Sequence, residues 1–177
     1  MRTFLAVFFG ILAAAVVILV AVGLFIRVRS AKDEMAKGQA NLVESAHMRL
    51  RIIDTACVTY QITYNGGFPK ALADMAPPQE KAKGKGEDFS PPDRKHAGLI
   101  DEGLASGSVG GYAFTYRPTR ISRSGQVQGY QVWAYPQKPS SPRLRSFYSD
   151  ETGVIHYTDE ARSASENDPP IGDHEVR

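Results

Sequence analysis

Between Glu102 and Asp150 the chain holds no acidic residue, while Arg117, Arg120, Arg123, Lys138, Arg143 and Arg145 all fall in that window. Tyr130, Trp133, Tyr135 and Tyr148 lie among them. Cations beside aromatic rings are the ingredients of a surface for DNA, an acidic polysaccharide or anionic lipid: the cations neutralise phosphate or carboxylate, and the rings stack. The plainer reading needs no ligand. It makes these residues a solvated strand face with a flexible turn near Arg120, partnered internally by an acidic tail.

Other chemistry-bearing residues do not converge. Asp150 and Glu151 are adjacent carboxylates, but neighbours in a hairpin loop point apart and serve the turn. His47, His96, His156 and His174 show no ligand-like pair spacing, and Cys57 is the sole cysteine, which excludes an intramolecular disulfide or a cysteine-based zinc site. On the helix described below, Cys57 reads as a small core hydrophobe and His47 as a partly exposed bystander. His156 alternates with Ile155 on a strand and is expected to face solvent. Lys83-Gly-Lys-Gly86 lacks the glycine–lysine–hydroxyl order of a phosphate loop and follows no strand. No catalytic, cofactor-binding or metal-binding residue is therefore expected, and the chain does not read as an enzyme.

The elements that must position these residues begin with an uncharged run from Thr3 to Ile26 in a chain of 177 residues. As a helix it spans roughly 36 Å, enough for a hydrocarbon core of about 30 Å. A cleaved signal peptide has a shorter apolar region and a small-residue cleavage site. Here Arg27, Val28 and Arg29 follow instead, so an uncleaved anchor in the lipid bilayer is expected. Residues 1–38 carry a local charge of +3 and the remainder −1, so the overall +2 describes the membrane flanks and not a basic domain. Lysines and arginines after the span outnumber the one before it, a bias that favours a cytoplasmic C-terminal side.

From residue 42, Leu42, Ala46, Leu50, Ile53, Cys57, Tyr60 and Tyr64 recur at steps of 3 and 4 and form one helical stripe. Glu44, Arg49, Arg51, Asp54 and Gln61 take the other face. With the anchor this predicts one helix of about 60 residues, ended by Asn65-Gly66-Gly67 and Pro69. Residues 69–96 read as a surface loop, in which Lys81, Lys83 and Lys85 sit near Glu80, Glu87 and Asp88. A short helix with Leu99, Ile100 and Leu104 inward comes next. Residues 111–117, 129–135, 143–149 and 153–157 then read as four strands, the last two joined by a glycine-ended hairpin loop. The fold class is thus α+β: a long N-terminal helix, transmembrane then amphipathic, packed on an antiparallel meander whose other face meets solvent. The expected domains are an anchor and juxtamembrane segment over 1–38, a globular domain over 39–158, and an acidic, frayed tail over 159–177.

This plan resembles a type IV pilin or pseudopilin. So do the segments Leu99-Ile-Asp-Glu-Gly-Leu-Ala-Ser-Gly107, Gly111-Tyr-Ala-Phe-Thr-Tyr116 and Arg145-Ser-Phe-Tyr-Ser-Asp-Glu-Thr-Gly-Val-Ile-His-Tyr157. Thr55-Ala56, Thr59-Tyr60 and Gly67-Phe68-Pro69 fit the same group, so the resemblance spans roughly residues 42–158. It departs at the N-terminus: the glycine–phenylalanine peptidase site and the glutamate five positions into the mature chain are replaced by Gly10-Ile11 and Ala15. The resemblance implies a single-pass protein of the bacterial inner membrane with a periplasmic C-terminal domain, against the flank-charge bias. It implies a structural or assembly role in a type IV pilus or type II secretion-like system, with other pilin-like subunits or assembly-platform proteins as partners. The alternative is a membrane-tethered extracytoplasmic domain that binds an anionic polymer and has no part in filament assembly.

Overall fold

Steps of 3 and 4 between apolar residues do produce a long helix: in the computed structural model α1 runs from Arg2 to Thr63. The structure describes residues 2–64, 66–78, 91–138 and 144–172, with side chains from residue 27 onward. The span expected at Thr3 to Ile26 has a helical backbone, but its side chains lie outside the described residues. Among the described residues no helix is long and apolar enough to cross a membrane. Asn65, Lys81, Lys83, Lys85, Arg143 and the tail beyond residue 172 also lie outside them. The chain divides into two units, Met1–Ala40 and Asn41–Arg177. The first is the N-terminal part of α1.

In the second unit Ala46, Leu50, Ile53 and Cys57 have no exposed surface, and Tyr60 is buried next to them. Leu42, which begins the predicted stripe, is 39% exposed, so the buried face starts one turn later. After the helix, Gly66 and Gly67 take φ values of 124° and 144°. A Cβ on Gly67 would sit 2.9 Å from the Val127 carbonyl oxygen, to which Phe68 N donates at 2.8 Å. Only glycine lets the chain pass this close on its way from helix to sheet. The following loop is not featureless, because a 3-10 turn at Leu72–Met75 drives Leu72 and Met75 into the core. The predicted short helix is α2 (Glu102–Ala105), capped by Asp101, whose carboxylate accepts from Leu104 N at 2.8 Å.

One antiparallel sheet of five strands follows in sequence order: β1 (Ser108–Val109), β2 (Tyr112–Ile121), β3 (Val127–Pro136), β4 (Ser146–Asp150) and β5 (His156–Thr158). Four were predicted. The fifth, β1, has two residues, too few to show an alternation in sequence. The inner face reads as expected: Tyr112, Phe114, Tyr130, Val132 and Ala134 are buried, and Phe147 joins them from β4. In register, Phe114 faces Ala134 and Ala134 faces Phe147, so small and large residues alternate across the strands that cover α1. The predicted last strand is shorter. Asp150 accepts from Thr152 N at 2.9 Å and Thr152 Oγ1 at 2.6 Å, and Gly153 turns at φ 71°, so pairing resumes only at His156.

The outer face does not simply meet solvent, and residues 159–172 do not fray. They run back as a strap over β3–β5. Trp133 Nε1 donates to the Ala164 carbonyl at 3.1 Å, and Ser146 Oγ to the Arg162 carbonyl at 2.5 Å. Tyr157 N donates to Pro169 O at 3.0 Å and Ile171 N to Ile155 O at 2.8 Å. Ala164 and Tyr148 are buried as a result. Arg162 ties the strap to itself by bonding Glu160 and Asp168. Acid-rich composition suggested fraying, but one guanidinium holds two of the carboxylates and backbone carbonyls do the docking.

Candidate functional site

The six cations of the basic window do not converge. Arg117 lies on the outer face of β2, opposite Gln131, and is exposed. Arg120, at φ 45°, donates to Gln128 O at 3.2 Å and pairs with Glu151. Arg123 is exposed in the β2–β3 turn, and Lys138 is exposed beyond the far end of β3. At about 3.4 Å per residue, those two ends of β3 are about 30 Å apart. Arg145 lies 4.3 Å over the Tyr157 ring and pairs with Asp159 at 2.8 Å. Arg143 lies outside the described residues. Trp133 and Tyr148 do meet, ring centroids 5.6 Å apart, but under the strap. Tyr130 points to the core.

His156 is half-buried: its Nδ1–H donates to the Asp168 carbonyl at 2.6 Å, which fixes the ring against the strap. Asp150 and Glu151 serve the turn, as predicted: Glu151 accepts from Tyr130 N at 3.2 Å besides its ion pair. His47 is buried, contrary to the expectation of partial exposure. Its Nε2 accepts from Arg51 Nε at 3.2 Å, and burial followed by the Arg51 charge lowers its pKa. Burial raises the Cys57 thiol far beyond its usual range, so no thiolate forms there. Among the described residues no group of three or more His, Cys, Asp or Glu is placed to hold a metal ion.

What does converge is a buried polar cluster between α1 and the sheet. Asp54, expected on the polar face, is buried. Its Oδ1 accepts from Tyr130 Oη at 2.9 Å and its Oδ2 from Ser149 Oγ at 2.8 Å, joining residues 76 and 95 positions away. Burial is the main cause that lifts its carboxyl from 3.8 to about 6. The two hydroxyls and Arg51 oppose the rise, and Asp150 adds to it. Burial and then the Asp54 charge push the Tyr130 phenol up as well. Beside the cluster lies an open cleft of about 400 Å³ lined by Arg51, Thr55, Val58, Glu151 and Gly153 among others. No nucleophile or second acid stands within the cluster, so its chemistry is proton-linked stability. The sequence signal was slight: Asp54 follows Ile53 at the stripe's edge, four residues after Leu50.

No protein-family model matches the chain, and comparison with curated proteins and with solved structures finds no match either.

Proposed function

We propose that the chain is a pilin-like structural or assembly component, without enzymatic activity, anchored in the bacterial inner membrane by Thr3 to Ile26 and carrying its C-terminal domain on the periplasmic side. The observation that carries this reading is the outer surface of α1. Met48, Ile52 and Ile62 are 48%, 46% and 74% exposed and share one helical face. Thr55 and Thr59, between them on that face, turn their hydroxyls onto the Arg51 and Thr55 carbonyls at 2.9 Å each. The ridge therefore presents no free hydroxyl to water, a surface suited to packing against another helix. Gly10-Ile11 and Ala15 supply neither a peptidase site nor a registering carboxylate, which favours a component that keeps its anchor over one released into a filament.

Affinity purification of the full-length protein from membranes should recover pilin-like subunits or assembly-platform proteins of a type IV pilus or type II secretion-like machine. The double substitution Ile52→Glu with Ile62→Glu should abolish that recovery and leave thermal stability intact, because both side chains are exposed. Equal recovery with the double variant, or recovery of no such protein with the parent, would overturn the reading.

A further inference from the structure

A second cleft, of about 360 Å³, opens at the C-terminal end of α1, where the loop after the helix, the segment around Arg94 and the β2–β3 turn meet. Its volume is in the range of small-ligand sites. Lys70, Arg94 and Lys95 line it, and Asp74 is the one carboxylate that does. The Asp74 Oδ2 already accepts from Lys70 N at 2.8 Å and Ala71 N at 3.1 Å. Arg94 is fixed in place: its guanidinium donates to the Tyr64 carbonyl, and its own carbonyl accepts from Tyr60 Oη at 2.7 Å. Among the described residues neither Lys70 nor Lys95 has an ion pair. Tyr60 and Tyr64, ring centroids 4.8 Å apart, form the aromatic part of the lining, and Ser124 and Gln126 add a hydroxyl and an amide.

The lining is built from three segments distant in sequence, and its shape depends on glycine. A Cβ on Gly66 would fall 2.2 Å from Gln126 Nε2 and displace that amide from the wall. Cations that lack carboxylate partners, beside a tyrosine ring and mixed hydrogen-bonding groups, match a ligand with one negative charge per ring and several hydroxyls. Closely spaced phosphates fit less well, because Asp74 lies within the cleft and the exposed Asp93 adjoins Arg94.

We propose that this cleft binds an acidic saccharide of the uronate type, its carboxylate held by Lys70 and Lys95 beside the fixed Arg94 and its ring against Tyr64. The site is separate from the basic window and independent of the assembly role.

The test is calorimetric titration of the full chain in detergent at low salt with tetragalacturonate. Cellotetraose serves as the uncharged control and a thymidine tetranucleotide as the phosphate control. Tetragalacturonate should bind at least tenfold more tightly than either. Lys70→Gln with Lys95→Gln should weaken it at least tenfold with an unchanged melting temperature, and Lys70→Arg with Lys95→Arg should restore it. Arg117→Gln, a cation outside the cleft, should change nothing. Absence of binding, equal binding of the tetranucleotide, or an equal loss in Arg117→Gln would overturn the proposal.

Discussion

Replacing Asp54 by asparagine should make the protein more stable at neutral pH, and the gain should be set by pH. The carboxyl is raised from 3.8 to about 6, chiefly by burial. At about 1.4 kcal/mol per pH unit of displacement, ionising it in the folded state costs about 3 kcal/mol relative to the unfolded chain. Because the folded pKa is the higher one, its stabilising contribution is complete below pH 3.8 and is lost as pH rises through about 6. Asparagine avoids this loss and keeps both hydrogen bonds: its oxygen accepts from Tyr130 Oη, and its amide donates to Ser149 Oγ. His47 has the opposite sign. Its lowered pKa means that stability is lost as pH falls through the histidine range, so the parent's own pH profile mixes the two. The difference between variant and parent isolates Asp54. Urea unfolding, followed by the fluorescence of the single tryptophan, Trp133, should give near-equal stabilities at pH 4. The gap should widen through pH 6 to about 3 kcal/mol in favour of Asp54→Asn at pH 8. Asp54→Ala should gain far less, since it leaves two buried hydroxyls unpaired at about 1–3 kcal/mol each. A pH-independent gap, or an asparagine variant weaker than the parent at pH 8, would refute the reasoning.

Three further outcomes test the packing. Leu50→Ala removes a side chain with no exposed surface and should cost about 2–5 kcal/mol, whereas Ile62→Ala, at an exposed position, should cost under about 0.5 kcal/mol by the same unfolding assay. Truncation after Thr158 should shift Trp133 emission to longer wavelength and lower the melting temperature, because the ring loses the Ala164 carbonyl and its cover; an unchanged spectrum would mean the strap does not shield it. Cys57 should react with a water-soluble maleimide only once urea unfolds the domain, and labelling of the folded protein would contradict its burial.

The parts of the fold legible in the sequence were those written in side-chain period. Leu50, Ile53 and Cys57 announce a helix face by spacing, and Tyr112, Phe114, Tyr130 and Val132 announce the covering strands by alternation. The strap was not legible, because it docks through the carbonyls of Ala164, Arg162 and Pro169, and every residue carries a carbonyl. Asp54 was misplaced because helical position distinguishes facing from not facing, whereas its burial depends on a phenol 76 residues away. The basic window was a real gap in the distribution of acids. Neighbours along a meander nonetheless spread over a sheet about 30 Å long, and Glu151 and Asp159 supply the missing acids in space. The cleft at the end of α1 draws on Tyr64, Arg94 and Gln126, and no local pattern joins them.

The contact between Asp54 and Ser149 also sets a clock on synthesis. Each strand pairs with the one made just before it, so the hairpins can close as they emerge. The helix face cannot, because its cover includes Phe147 and Ser149, made 95 residues after Asp54. At about 5–20 residues per second, Leu50 and Ile53 wait roughly 5–20 s for the strand that hides them. A slower ribosome lengthens that interval in proportion, and the nascent chain meets its greatest risk of aggregation with its helix finished and its sheet half made.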